Sequence, residues 1–378
     1  MILKSLLLTG PAQGLFLILL LKAKSENAAA DKLLMLWLGI ISTQLLFYYD
    51  NLSGNPYISN YIQLACFSLP LISSPVLYLY IKSLSSGNDL RWKKSVIHLV
   101  PYFIINVILL YLYLNNRSSV IIRNCLPHFD GGVPQFFIYF LTILMGLVPG
   151  FYTIQGLITL IKYQKSLPDN YSNIEKLKLN WLKGIVLSLL ILFVLLFFLI
   201  KYGINYSFVT AQNLFAIVGC ILSFYIFFVG YYGLRQNTIF TNMPLQASPK
   251  KETALRVNYK NSGLSSEAAD KMFEDLKTHM QKNRPFLDEN LSLTTLAAQL
   301  NLSANQLSQI INQKAGKNFF DFINTYRVMA VKEKLKDPTF SHYSIIAIGY
   351  ECGFQSKSSF NKIFKQITGK TPSEFQNG

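Results

Sequence analysis

The stretch "NKIFKQITGKTPSEF", Asn361 to Phe375, repeats an earlier one, "SQIINQKAGKNFFDF", Ser308 to Phe322, at an offset of 53 residues. Ile363 falls on Ile310, Gln366 on Gln313, Gly369 on Gly316, Lys370 on Lys317 and Phe375 on Phe322. Each copy reads as a helix, a glycine stop and the start of another helix. Gly316 and Gly369 stand where a helix ends in the left-handed conformation, which glycine adopts without a Cβ clash. The helix starts are equally plain. Ser303 with Gln306 makes a Ser-x-x-Gln capping box ahead of the first copy, and Ser356 caps the second. After each stop a new helix begins, at Asn318 with Asp321 and at Thr371-Pro372 with Glu374.

On a helical wheel the first copy turns Leu307, Ile310 and Ile311 inward and Asn305, Ser308, Gln309 and Asn312 outward. The second turns Phe360, Ile363, Phe364 and Ile367 inward. Ser358, Asn361, Lys362 and Lys365 face out, with Lys357 at the helix N-terminus. Preceded by "LTTLAAQLNLS", the first copy is the second helix of a helix-turn-helix, a unit that lays this helix in a DNA major groove. Exposed amides suit bidentate contact with adenine. Upstream, "SSEAADKMFEDLKTHMQKN" carries Ala268, Met272, Leu276 and Met280 at helical spacing. Between the copies, "DFINTYRVMAVKEKLKD" predicts one continuous helix ending before Pro338. Such a connector holds two reading helices about one DNA turn, ~34 Å, apart. The competing reading is a helical protein-binding domain whose symmetry is accidental.

The rest of the chain differs in kind. Of 378 residues 51% are hydrophobic and 14% charged, too oily for an ordinary soluble protein. Up to Gly233 there are 16 Lys/Arg against 7 Asp/Glu, and from Leu234 on 19 against 12. A membrane-crossing helix needs about 20 predominantly apolar residues. Seven stretches qualify: 5–21, 33–49, 61–81, 96–114, 134–161, 182–202 and 208–233, the fifth with a Pro149-Gly150 pair that predicts a kink or extra tilt. The connections after spans one, three and five hold twelve Lys/Arg and the alternate ones three. The excess marks the cytoplasmic side, so the N-terminus lies outside and the region after span seven inside. A cleaved signal peptide over residues 1–30 is the alternative for the first span. Basic residues directly after its apolar run favour retention.

None of the seven runs carries a central Asp or Glu, which argues against coupled transport. Their amides, Gln13, Gln44, Gln63, Asn106, Gln155, Gln212 and Asn213, read as interhelical hydrogen bonds, or as a lining for a small uncharged ligand. In the outer connection "RNCLPHFDGG", His128 and Asp130 are a weak ligand or metal candidate. The four cysteines, Cys66, Cys125, Cys220 and Cys352, form neither a disulfide framework nor a zinc pattern. Residues 234–264 read as a juxtamembrane linker in which Lys250 and Lys251 can meet anionic headgroups. No nucleophile–base spacing, glycine-rich phosphate loop or metal cluster supports an enzyme, and no cofactor is expected.

Leu291–Phe375 closely resembles the DNA-binding domain of AraC/XylS-type transcription regulators. "IAIGYECGFQSKSSFNKIFKQITGKTPSEF" follows that family's signature almost throughout, and "LAAQLNLSANQLSQIINQKAGKNFFDFINTYRV" matches its first half. The resemblance implies seven helices, two helix-turn-helix units and transcriptional control through promoter DNA. It carries base-reading roles to Asn305, Ser308 and Gln309 in the first unit and to Lys357, Ser358, Asn361 and Lys362 in the second. Lys317, Arg327, Lys365 and Lys370 are candidate phosphate contacts. Val331 departs from the family, which has a small Ala there, and no Arg stands on either reading face. The architecture is similar to the membrane-bound AraC-type regulators of the Bacteroidetes kind.

The expected fold is therefore all-α. A seven-span bundle (1–233) is followed by a linker (234–264) and a double helix-turn-helix domain (265–378). The expected function is a regulator tethered in a bacterial inner membrane, reading double-stranded promoter DNA from the cytoplasmic side. Its signal is an unidentified small molecule or lipid; RNA polymerase and a second copy of the chain are further partners left open. A transporter or channel with a DNA-binding regulatory tail is the alternative.

Overall fold

The computed structural model describes residues 2–24, 28–54, 56–86, 95–115, 120–129, 135–175, 177–204, 206–241 and 266–377. The chain divides into two compact units. The first comprises Met1–Ile161 and Asn180–Leu245, the second Lys162–Leu179 and Gln246–Gly378. The expected linker falls mostly outside the described residues, with Lys250, Lys251 and Ser265, as do Arg91, Lys93, Lys94, Arg117, Asp130 and Lys176.

The first unit contains α1 (Ile2–Lys22), α2 (Ala29–Leu52), α3 (Asn60–Phe67), α4 (Pro70–Ser86) and α5 (Val100–Asn115). Most of α6 (Gln135–Asn170), then α7 (Asn180–Phe198) and α8 (Ala211–Thr241), complete it. Among the described residues five helical stretches are long and apolar enough to cross a membrane: Ala29–Leu52, Val96–Asn115, Tyr139–Asn170, Asn180–Gly203 and Ala211–Leu234. The other two of the expected seven take different forms. Leu7–Lys22 is a shorter apolar helix, and the residues expected as the third span form α3 and α4, bent by 42° at the break between them. The bend sits at Pro70, whose ring removes an N–H and disfavours helical geometry in the residue before it.

Within this unit α1, α2 and α8 pack closely, and Leu7, Leu21, Leu34, Leu38 and Leu45 are essentially solvent-free. Gly230 permits the approach of α1 to α8: a Cβ there would lie 2.1 Å from Leu17 Cδ1, with Cδ2 and Cγ both at 2.9 Å. By contrast α5, α6 and α7 leave large apolar side chains bare, among them Phe103, Val107, Tyr139, Leu147, Leu195 and Phe198. So wide an unpaired apolar surface suits a lipid solvent. Two amides bond between elements as expected. Asn106 Nδ2 donates to Ser68 Oγ at 2.8 Å, and Gln63 accepts from Asn51 Nδ2 at 3.3 Å.

One element departs from the all-helical expectation. β1 (Val120–Arg123) and β2 (Leu126–Phe129) pair antiparallel, Val120 opposite Phe129 and Arg123 opposite Leu126. Asn124 and Cys125 turn the corner at positive φ, 50° and 64°. Both central residues of a two-residue type I′ hairpin turn need that sign. His128 is exposed on this hairpin.

The second unit is helical: α9 (Ser266–Asn283), α10 (Leu293–Gln299), α11 (Ala304–Ile310), α12 (Phe319–Lys336), α13 (Ile345–Glu351), α14 (Lys357–Thr368) and α15 (Pro372–Gln376). One core joins them. Leu276 and Met280 of α9, Leu307 and Ile311 of the first copy, Val328 and Val331 of α12, and Phe360, Ile363 and Phe364 of the second copy belong to a single buried cluster. Val331, where the resembled family has Ala, is fully buried.

Candidate nucleic-acid interface

Both helix-turn-helix units start from side-chain caps. Ser292 Oγ accepts Thr295 N at 3.2 Å ahead of α10. Ahead of α11, Ser303 Oγ accepts Gln306 N at 3.2 Å while Gln306 Oε1 accepts Ser303 N at 3.0 Å, the predicted box. Ser344 Oγ accepts Ala347 N ahead of α13, and Ser356 Oγ accepts Ser359 N at 3.1 Å ahead of α14. Both glycine stops are left-handed, Gly316 at φ 63° and Gly369 at φ 78°. At α15, hydrogen bonds from the Thr371 N–H and then its hydroxyl hold the Glu374 carboxyl below the usual range. A serine cap and a left-handed glycine stop thus bound each reading helix: Ser303 and Gly316 in the first copy, Ser356 and Gly369 in the second.

Between the units runs α12, 18 residues or roughly 27 Å at 1.5 Å per residue. Its buried Val328 and Val331 sit in the common core, and Lys334 is ion-paired with Glu351 at the end of α13. The connector is therefore packed against both copies.

The exposed faces agree with the wheels at most positions. On α11 Asn305 is exposed and Ser308 half-buried, its hydroxyl accepting Asn312 Nδ2 at 3.4 Å. On α14 Lys357, Ser358, Lys362 and Lys365 are exposed and Asn361 is half-buried. Lys370, past the stop, is exposed, as is Lys317, which donates to Thr325 Oγ1 at 2.8 Å.

Three positions differ. Gln309 is buried at 7% exposure. The helix opens into a π turn at Ile311–Ala315, and α9 packs against both α11 and that turn, with Lys314 paired to Asp270. A wheel drawn for one helix includes neither feature. Ile367, expected inside, is 43% exposed in the last turn of α14.

Arg327, expected on a phosphate, is fully buried. Its guanidinium donates to Phe286 O (2.8 Å), Asp288 O (2.8 Å), Ser172 O (3.0 Å) and Ser172 Oγ (2.9 Å). Burial pulls its pKa down to about 10. It is a structural tie between α12, the turn before α10 and residue 172. Gly353 makes room for it: at φ 90°, a Cβ there would meet Phe286 O at 2.5 Å and Arg327 Nε at 2.9 Å.

The residues that bind Arg327 from the other side were not legible as partners. Tyr171 pairs with Ser292 in an antiparallel bridge, and Ser172 N and Oγ both donate to Leu291 O, at 3.2 and 2.7 Å. Buried Ile174, Leu177 and Leu179 in a lysine-rich connection are the sequence signal that this stretch is docked.

In the first unit a cavity of about 70 Å³ is lined by Trp37, Gln44, Tyr48, Ser73, Ser74 and Thr153 among others. Gln44 is 4% exposed and its Oε1 has no hydrogen-bond partner among the described residues. No group of three metal-binding side chains occurs among the described residues.

Comparison with known proteins bears on the second unit. Residues 296–378 match the family model described as a helix-turn-helix domain. An uncharacterized HTH-type transcriptional regulator from Staphylococcus aureus strain COL is 33% identical over 88 residues, 23% of this chain and 11% of its own length. The arabinose operon regulatory protein of Escherichia coli K12 is 29% identical over 91 residues, 24% of this chain and 30% of its own. The chain thus spans about a tenth to a third of these relatives. A solved structure of a Listeria innocua protein of unknown function is matched at 26% identity and a TM-score of 0.25, over 28% of this chain and 94% of that one. Residues 296–378 are thus similar to the helix-turn-helix domains of transcription regulators.

Proposed function

We propose that this protein is a membrane-tethered, sequence-specific transcription regulator. Two capped helices, each with an amide- or lysine-bearing face turned outward, share one core through a packed connector; this observation carries the reading. In the proposal Asn305 and Ser308 read bases in one major groove. Lys357, Ser358, Asn361 and Lys362 read them in the next. Lys317, Lys365 and Lys370 neutralise phosphates without reading sequence. Arg327 and Gln309, being buried, are left out of the contact set. The reading assigns no catalytic step and no cofactor.

The apolar helices of residues 1–233 hold the domain at a bacterial inner membrane, and residues 234–264 link it to them. The signal is a small uncharged molecule with a hydrogen-bond donor. The cavity beside Gln44 supports this, since it offers an unpaired carbonyl oxygen in apolar surroundings. Full-length protein in lipid nanodiscs, selected against a random duplex library, tests the reading. It should enrich one motif with two elements about one helical turn apart. Recovery of unenriched sequence would sink it.

A further inference from the structure

The connection between α6 and α7 carries a second message. Residues 171–179 belong to the second unit and are docked on it at two points of different character. One point is an anchor. Ser172 is 1% exposed, and its carbonyl accepts Arg327 Nη1 at 3.0 Å and Asn324 Nδ2 at 3.3 Å. Its hydroxyl takes a further Arg327 bond while donating to Leu291 O. Asn173 adds a bond to Glu289 O at 3.4 Å.

The other point is a latch. Glu175, three residues on, sets its carboxylate against the hydroxyls of Ser356 and Ser358, with Ser358 Oγ 3.3 Å from both carboxylate oxygens. Ser356 is the N-cap of α14 and Ser358 its second residue. In the latch Glu175 and Ser358 are exposed and Ser356 half-buried, whereas the anchor is buried. Glu175 can therefore leave without unseating Ser172.

A helix N-terminus draws anions, because its unpaired N–H groups and aligned peptide dipoles present positive potential. In a helix-turn-helix that anion is a DNA phosphate, with hydroxyls and backbone N–H groups as its donors. We infer that residues 171–175 are an intramolecular ligand of the DNA-reading domain, with the Glu175 carboxylate taking the place of a phosphate at the Ser356 cap and covering the base-reading hydroxyl of Ser358. DNA and Glu175 then compete for Ser356 and Ser358. The segment is covalently continuous with two membrane-length apolar helices, α6 and α7. A signal that changes those helices thereby shifts the balance between latched and open states. The inference rests on the DNA-binding reading above.

The test uses full-length protein in nanodiscs and the duplex selected above. Glu175→Ala should bind that duplex at least threefold more tightly than wild type at low salt. Glu274→Ala removes the same charge from an exposed site on α9, where its partner is Lys277, and should change affinity by less than half as much. Saturating duplex should also raise hydrogen exchange across Asn173–Leu179 in the wild type. Equal gains from the two variants, no gain from Glu175→Ala, or unchanged exchange on adding DNA would overturn the latch while leaving DNA binding intact. If neither wild type nor Glu175→Ala prefers any duplex, the DNA-binding reading itself falls and the latch with it.

Discussion

Arg327 shows what one residue's surroundings decide. Its guanidinium is fully buried and its five N–H donors meet carbonyls and a hydroxyl, so removing it strands several acceptors. Leaving one buried acceptor unpaired costs about 1–3 kcal/mol. Arg327→Met should lower the unfolding free energy of the second unit, read from its urea midpoint in pulse proteolysis, by an amount of that order. A midpoint equal to wild type would return Arg327 to the phosphate-contact role. Cys352 gives a pH signature in the same core. Fully buried, its thiol is pushed up to about 11. A raised thiol pKa favours the protonated native form. Its stabilisation is complete below about pH 9 and is lost as pH climbs toward 11, about 2 kcal/mol in all. Between pH 7.5 and 10.5 the wild type should therefore lose more stability than Cys352→Ala. Parallel losses would show that the thiol does not titrate with unfolding.

At the scale of elements, the reading helices were the most legible part of the chain. Serine caps, a capping box and glycine stops act over three or four residues, so sequence order alone reports them, and Ser303, Ser356, Gly316 and Gly369 all take those roles in the fold. Faces were less legible than ends. Gln309 and Ile367 changed sides because burial depends on which helix lies opposite, and a wheel holds no information about α9 or the π turn. Arg327 misled for a related reason: a cation on a basic helix looks like a phosphate contact until the carbonyls around it are known. The remaining faces make separable predictions. Lys365→Ala should weaken binding to the selected duplex and to random DNA alike, and reduce the salt slope by about one. Asn361→Ala should alter base preference at one position of the motif, at about 1–3 kcal/mol for a lost bidentate contact. An unchanged salt slope removes Lys365 from the backbone contacts, and an unchanged motif removes Asn361 from the readers.

For the whole molecule, hydrophobic runs located the apolar helices because a long apolar run needs no partner to declare itself. They did not show that residues 61–81 are bent at Pro70, nor that residues 162–179 pack with the DNA-reading domain. The latter depends on matches such as Ser172 with Arg327, invisible until the fold brings them together. The charge pattern reaches further, since on the membrane-tethered reading it decides which connections lie inside. Twelve Lys/Arg lie in the odd-numbered connections and three in the even ones. Translocating a cationic connection opposes the membrane potential and leaves the anionic leaflet, at roughly 2.3 kcal/mol per charge per 100 mV. Green fluorescent protein fused after Gly378 should therefore fluoresce, as it does when it stays inside. Alkaline phosphatase inserted after Asn124, at the β1–β2 turn, should be active, because it folds only outside. The opposite pair of results would place both reading helices and the Glu175 latch away from DNA. No regulatory account of those residues survives that outcome, whatever the affinity of the purified protein.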